Sequence, residues 1–236
     1  MKNPSELTIA LGAGANTTAL VYAAGGPPLG ATLVLGHGAG AGQRSAFMVD
    51  FARALSALGL DVVTFNFLYT EQGRRIPDRA PSLEACYRDV IAAAGDAVAS
   101  ARRALFIGGK SMGGRIATQV AAADAALPVA GLVLLGYPLH PPGRPDQRRD
   151  KHLPAIGRPM LIVQGDRDAF GLPTELRPIL EQLQPTPTLE VIAGGDHSFK
   201  LARRDPARQA SVYAHIQKAI ADWIANRLSG RQPEIV

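Results

Sequence analysis

The stretch Ala104–Arg115, ALFIGGKSMGGR, constrains the fold of this chain more than any other. Leu105–Ile107 is a short apolar run that reads as a buried strand. Gly108 and Gly109 end it, and Gly113 and Gly114 open a helix beyond Ser111. A chain that passes from strand to helix so abruptly must turn sharply, with Ser111 at the apex in strained backbone geometry. Side chains two positions either side of the apex would collide, and glycine stands at both. The new helix aims its N-terminal amides at the serine. Gly109-Lys110-Ser111-Met112-Gly113 therefore fits G-x-S-x-G, the pattern of a hydrolytic nucleophile.

Two other readings use the same residues. Gly109-Lys110-Ser111 is the end of G-x-x-x-x-G-K-[ST], but that motif needs glycine at 104, where this chain has Ala104. Leu105–Gly108 is mostly strand, so the loop that cradles phosphates is missing. The other reading is a tight strand–helix turn with an inert serine. The rest of the chain decides between that and chemistry.

Along the chain, Thr8–Leu11 and Thr17–Tyr22 read as an opening hairpin joined by Gly12–Asn16. Gly25-Gly26-Pro27-Pro28 breaks the pattern. Ala31–Leu35 is a buried strand, followed at once by Gly36–Gly42. Ser45 is placed to cap a helix through Leu58, with Phe47, Phe51, Leu55 and Leu58 on one stripe. Asp61–Phe67 is the next strand, Tyr69–Pro81 a polar loop, and Ser82–Ser100 a helix with Leu83, Cys86, Val90 and Ala94 inward. After the Ser111 helix, to about Ala123, come a strand at Ala130–Gly136 and a Pro- and Arg-rich connection at Tyr137–Pro159. A strand at Met160–Gln164, a helix at Pro173–Leu183 and a strand at Thr188–Ile192 follow. A closing helix from Pro206 to Leu228 buries Val212, Ile216, Ile220, Trp223, Ile224 and Leu228. Short apolar runs alternating with amphipathic helices indicate an α/β fold with a mostly parallel sheet covered on both faces. No repeat or linker divides residues 1–236, so a single domain is expected, and Tyr137–Pro159 is too short for a large cap domain.

In a parallel sheet, loops leaving the carboxyl ends of strands share one edge, where ligands bind. Four unusual loops leave strands here: His37–Gly42, Gly109–Gly113, Asp166–Asp168 and Asp196–Phe199. Together they supply backbone amides, a serine, a carboxylate and a histidine, in the order Ser…Asp…His. Ser111 is the expected nucleophile, His197 the base that takes and returns its proton, and Asp168 the acid that fixes the imidazole. A tetrahedral oxyanion needs two amide donors. Met112 is the first, and Ala39 the second, with Gly38 as its alternative. Asp166 is the alternative acid. It lies nearer the strand end, where turn-forming carboxylates bond local amides, and Asp168 is preferred for that reason.

Other residues carry weaker expectations. His37 is expected to bond backbone and shape its glycine loop. His140 follows a strand at the same edge and is a candidate substrate contact. Phe170, Phe199 and Met112 are candidates to line an acyl pocket, with core packing as an equal account. His152 and His215 carry no functional case. Lys110 and Arg115 flank the nucleophile. Lys110 is expected in a structural or surface ion pair, with attraction of an acidic substrate as the alternative.

Net charge is +5 and the isoelectric point near 9.7, with basic clusters at Arg74-Arg75, Arg102-Arg103, Arg148–Lys151 and Arg203-Arg204. Aspartates interrupt two of these and no aromatics interleave, which argues for a solvated face and against a nucleic-acid partner. No metal is expected, because H-x-x-x-H and C-x-x-C spacings are absent even though Asp166, Asp168, Asp196 and His197 lie close in the pattern. No dinucleotide cofactor is expected either. Gly36–Gly42 gives alternating glycines, and no acidic residue closes the next strand. No stretch approaches the ~20 apolar residues of a membrane span. MKNPSELTIALGAGANTT lacks the continuous apolar core and cleavage site of a signal peptide, and the one cysteine, Cys86, cannot pair internally. A cytoplasmic monomer or homodimer is the expectation.

With these residues in hand, the chain resembles the α/β-hydrolase superfamily. More narrowly it is similar to the dienelactone-hydrolase-like group of small, lidless hydrolases that includes the testis-expressed hydrolase-like proteins and their bacterial relatives. The match is carried by LVLGHGAGA (33–41), FIGGKSMGGR (106–115), GYPLHPPGRP (136–145), LIVQGDRDAFG (161–171) and GGDHSF (194–199). The resemblance implies an eight-stranded sheet with the second strand antiparallel, and Ser111, Asp168 and His197 as a catalytic triad. Dienelactone hydrolases proper use a cysteine nucleophile, so their substrate does not transfer to a chain with Ser111. The expected activity is cleavage of a small to medium carboxylic ester or thioester. A non-catalytic binding or scaffold protein on the same fold, and a peptidase, are the alternatives.

Overall fold

The computed structural model describes residues 3–202 and 205–230; the Arg203-Arg204 cluster lies outside them. Eight strands form one sheet: β1 (Ser5–Ala10), β2 (Asn16–Tyr22), β3 (Thr32–Gly36), β4 (Asp61–Phe65), β5 (Leu105–Lys110), β6 (Gly131–Leu135), β7 (Met160–Gly165) and β8 (Thr188–Ile192). Their spatial order is β1-β2-β4-β3-β5-β6-β7-β8. Strand β2 runs antiparallel to both β1 and β4, and all other neighbours are parallel. The expected opening hairpin and the single antiparallel strand are both present. Among the described residues, no large cap domain stands over the sheet.

Six helices accompany the strands: α1 (Ala46–Ala57), α2 (Leu68–Glu71), α3 (Ala80–Ala97), α4 (Met112–Ala123), α5 (Pro173–Leu180) and α6 (Pro206–Leu228). Alternation along the central strands divides the core in two. Leu105, Ile107, Leu132, Leu134 and Ile162 face one side and pack with Leu83, Val90 and Ile116 from α3 and α4. Phe106, Val133, Leu135, Leu161 and Val163 face the other and pack with Phe51 and Leu55 of α1 and Ile216, Ile220 and Trp223 of α6. None of the helices among the described residues is long and apolar enough to cross a membrane.

Several element boundaries differ from expectation for local reasons. Helix α1 stops at Ala57, so Leu58 is 41% exposed and Met48 and Ala52 take its place on the buried stripe. Tyr69 is not in a polar loop. It is fully buried on the short helix α2, and the polar segment starts after Glu71. Helix α3 starts two residues early because Pro81 fits a first helical turn, where its missing N–H costs nothing. It ends at Ala97, followed by a tighter 3-10 turn over Ala99–Arg102.

Candidate active site

Strand β5 runs two residues past Gly108 into Lys110, and α4 begins at Met112, leaving Ser111 alone at the bend. Its φ of 51° and ψ of −113° lie in a region that non-glycine residues rarely adopt. The flanking glycines are there for space. A Cβ on Gly109 or Gly113 would overlap the carbonyl oxygen of Gly36 on the neighbouring strand. From beneath, the buried Tyr87 hydroxyl donates to the Gly108 carbonyl at 2.6 Å and accepts from the Gly108 N–H at 3.0 Å. The sequence pattern had not singled out Tyr87.

Three loops at the carboxyl edge bring Ser111, His197 and Asp168 together. The His197 ring lies between the other two, its Nε2 2.8 Å from Ser111 Oγ and its Nδ1 2.7 Å from Asp168 Oδ2. A carboxylate only accepts, so Nδ1 carries the hydrogen and Nε2 is left to accept from the serine hydroxyl. Asp168 is fully buried. Its Oδ2 also accepts from Gln164 Nε2 at 2.9 Å, and its Oδ1 from the Phe170 N–H at 2.8 Å. Gln164 was missed in the sequence reading, although a glutamine inside the apolar run LIVQG was a visible signal. It is fully buried and clamps three segments, receiving the Tyr137 N–H at 2.8 Å and donating to the Gly171 carbonyl at 2.8 Å. Asp166 is turned elsewhere, its Oδ1 accepting from the Gly194 N–H at 2.7 Å. Asp196 likewise caps its own turn through the Ser198 and Lys200 amides.

Met112 and Ala39 both line the cleft above Ser111. Among the described residues, neither backbone N–H has a hydrogen-bond acceptor. For Met112 this follows from its place as the first residue of α4, whose opening amides have no intrahelical partner. For Ala39 it follows from His37. That ring is fully buried, accepts the Phe67 N–H at Nε2 (3.2 Å), and so donates from Nδ1 to the Gly38 carbonyl at 2.8 Å. The Ala41 N–H holds the same carbonyl at 3.2 Å. In a trans peptide the N–H of the next residue points opposite to that carbonyl, which turns Ala39 N–H away from His37. Burial lowers the His37 pKa, partly offset by its bond to Gly38, and keeps the ring in the neutral form this arrangement needs.

The proposed substrate contacts separate. Phe170 lines the cleft and stacks on the His197 ring, centroids 4.1 Å apart. His140 does not reach the cleft. It is buried behind Phe170, with Nδ1 against the Pro141 carbonyl at 2.9 Å and Nε2 against Glu175 Oε1 at 3.2 Å. Phe199 does not line the cleft either. It is fully buried in the core beside Phe47, and its φ of 61° bends the chain directly after the His197 loop. An aromatic ring there is worth more in the core than at a wet edge.

Lys110 is not in an ion pair. Among the described residues no carboxylate comes within 4 Å of it, and it is only 8% exposed, pointing into the cleft 6.0 Å from the Phe47 ring centre. Burial lowers its pKa to about 8, with Asp168 and Asp196 pulling the other way. Among the described residues, no group of three or more His, Cys, Asp or Glu is arranged to hold a metal.

The cleft over Ser111 encloses about 530 Å³, within the usual range for small-molecule sites, roughly 300–1,000 Å³. Comparison with known proteins places this geometry in a family. A lidless α/β serine hydrolase from Xanthomonas campestris superposes with a TM-score of 0.70 at 23% identity, over 94% of this chain and 96% of that one. A dienelactone hydrolase from Anabaena variabilis gives 0.70 at 21%, over 98% and 100%. An esterase domain from Rhodothermus marinus gives 0.70 at 12%, over 95% and 99%. At these identities the structures establish the fold. The sequence model described as an alpha/beta hydrolase domain matches residues 30–225, and this chain belongs to that family.

Proposed function

We propose that this protein is a serine hydrolase that cleaves a small to medium carboxylic ester or thioester through an acyl-enzyme intermediate, within one α/β-hydrolase domain. The observation that carries the reading is the unbroken chain Ser111 Oγ–His197 Nε2 (2.8 Å) and His197 Nδ1–Asp168 Oδ2 (2.7 Å) on the wall of an open cleft. Ser111 Oγ attacks the acyl carbonyl while its proton passes to His197 Nε2. Asp168 holds the ring in the tautomer that can accept it and stabilises the imidazolium that forms. The oxygen that becomes an anion sits between the Met112 and Ala39 amides. The imidazolium then protonates the departing alcohol or thiol. Water, deprotonated by the same imidazole, releases the acid and restores Ser111. Phe170, stacked on His197, shields the ring from water and forms part of the acyl wall.

The ester assignment draws support from the esterase domain among the structural neighbours. The test is a steady-state series of p-nitrophenyl esters from acetate to octanoate, with Ser111→Ala alongside. Turnover lost in the variant and a profile peaking at one chain length are expected. A variant that retains a sizeable rate overturns Ser111 as the nucleophile. A folded wild type that neither turns over nor reacts with a fluorophosphonate at Ser111 overturns the hydrolase reading.

A further inference from the structure

The cleft beside Ser111 is lined by two arginines whose guanidinium groups have no counter-ion among the described residues. Arg115 stands one helical turn beyond Ser111 on α4, its N–H donating to the Ser111 carbonyl at 3.0 Å. Arg149 comes from the connection after β6, and both line the same cleft. Their ordinary partners are neutral and weak. Arg115 Nη1 donates to Gln119 Oε1 at 3.2 Å, and Arg149 Nη1 reaches the Pro138 carbonyl only at 3.5 Å. Among the described residues neither guanidinium has a carboxylate within 4 Å. The nearby acids are engaged elsewhere: Asp78 with Arg74 at 2.7 Å, Asp150 with Arg148 at 2.8 Å, and Glu84 with Arg88 at 3.9 Å.

The two arginines are also fixed in place. Arg115 rides on a buried helix. Arg149 is pinned at both backbone groups, its N–H donating to the Leu139 carbonyl at 2.8 Å and its own carbonyl receiving the buried Tyr137 hydroxyl at 2.7 Å. Holding two like charges together at a partly desolvated site is unfavourable. The pKa of Arg115 registers it, lowered first by burial and then by the charge of Arg149. Tyr137 and Glu84 offset it only in part, and among the described residues no carboxylate in contact with either guanidinium repays the rest. An anion bound between the two forks would, because guanidinium groups pair with carboxylates through two parallel hydrogen bonds. Lys110, beside Gly136, adds a third cation to the same cleft, whose lining carboxylate, Asp78, is paired with Arg74, and a cleft with surplus positive charge draws an anion toward it.

We infer that Arg115 and Arg149 form an anion subsite that receives a carboxylate carried by the ester substrate, so that the natural substrate is an ester of an acidic molecule. The inference rests on the hydrolase reading above and narrows its substrate class. Four residues, about 6 Å along a helix, separate the Arg115 backbone from that of Ser111. The carboxylate is therefore joined to the reacting carbonyl by a short spacer, either within the acyl chain or within the alcohol. Attraction of an acidic substrate stood in the sequence as the alternative for Lys110. The cleft gives that attraction a location.

The test compares esters matched in size and differing in one charge, followed by pH-stat titration at low ionic strength. Monomethyl glutarate is set against methyl valerate for a carboxylate in the acyl part. 4-(Butyryloxy)benzoate is set against phenyl butyrate for one in the alcohol. In at least one pair the acidic ester is expected to have a kcat/KM at least about tenfold higher, the scale of one charge-assisted hydrogen bond, and carried mainly by KM. Salt should erode the preference. Arg149→Gln and Arg115→Gln should each lower it about tenfold, and Arg149→Lys should restore part of it, since lysine keeps the charge and loses the fork. Circular dichroism and thermal midpoints check that each variant is folded. A wild type that treats both members of both pairs alike, while Ser111→Ala abolishes turnover, overturns the anion subsite and leaves the hydrolase reading standing. If no ester is turned over, fluorophosphonate labelling of Ser111 decides the hydrolase reading, and calorimetry with glutarate decides the subsite by itself. Binding lost in Arg149→Gln supports it, and no binding to wild type overturns it.

Discussion

The two flanks of Ser111 are built on opposite principles. On the flank that carries His197, each polar group meets another: Gln164 holds Asp168, Asp168 holds His197, and His197 reaches Ser111, with contacts of 2.7–2.9 Å throughout. On the side that faces the cleft, Arg115 and Arg149 have no carboxylate within 4 Å among the described residues, the lining Asp78 being paired with Arg74, and Lys110 beside Gly136 has no ion pair either. The first arrangement is complete before any ligand arrives and costs no reorganisation at the moment of reaction. The second is incomplete without a ligand, and its unpaired charges subtract from stability. A protein retains such a cost at a site where a ligand recovers it. Polar pairing is settled on one side of the serine and left open on the other.

The largest effect expected from breaking the settled side is at its end. Ser111→Ala should lower kcat/KM for the best p-nitrophenyl ester by at least about 10³-fold and leave the thermal midpoint nearly unchanged, because the hydroxyl supports nothing but His197. Next comes the oxyanion loop. In His37→Leu the Gly38 carbonyl loses one of its two donors and the Ala39 amide loses its aim. A fall in kcat of about a hundredfold at little-changed KM is expected. Affinity for a boronic-acid transition-state analogue should fall in parallel, which a purely structural defect would not produce. An equal loss in KM and no loss of analogue affinity would remove His37 from this role. Smaller in rate, but legible in stability, is Gln164→Leu. It leaves Asp168 with one partner fewer and the buried Tyr137 N–H without one. Urea denaturation should report a loss of about 2–4 kcal/mol, with kcat reduced as Asp168 loosens.

Much of the site was legible because its chemistry needs short motifs. Gly109, Ser111 and Gly113 must occur at fixed spacing for the bend to close, and Asp168 and His197 follow strands whose apolar runs are plain in the sequence. The eight strands were legible as short apolar runs, and the antiparallel second strand followed from the family resemblance, whereas the strand order is known from the structure alone. What escaped notice acts at long range. Gln164 holds Asp168 four residues on, but it and Tyr87 also work through partners 27 and 21 residues away, and no local spacing encodes those distant pairs. His140 and Phe199 were misplaced because proximity to the sheet edge in sequence does not say which way a side chain turns; one faces Glu175 and the other the α1–α6 core. Lys110 was expected in an ion pair because surface lysines usually find one. Its place on the last residue of β5 instead directs it into the cleft, away from any acid within reach.

Lys110 gives the smallest and most selective test of the contrast, because it probes the open side without touching the serine. Burial lowers its pKa from 10.5 to about 8. The sign follows from proton counting. Below pH 8 the ammonium is charged in both folded and unfolded chains, so the full cost of burying it is present. Between pH 8 and 10.5 the folded protein releases the proton while the unfolded chain keeps it, and stability rises with pH. Above that range both forms are neutral and the cost is gone. A displacement of this size corresponds to at most about 3 kcal/mol. Lys110→Met keeps the shape of the stem against Phe47 and removes the charge. Measured by urea denaturation, the variant should be more stable than wild type at pH 7, and its advantage should shrink steadily as pH rises toward 10.5. A difference that stays constant with pH would mean that the ammonium is paired or solvated in the folded protein, and the open flank would then be less open than its geometry indicates.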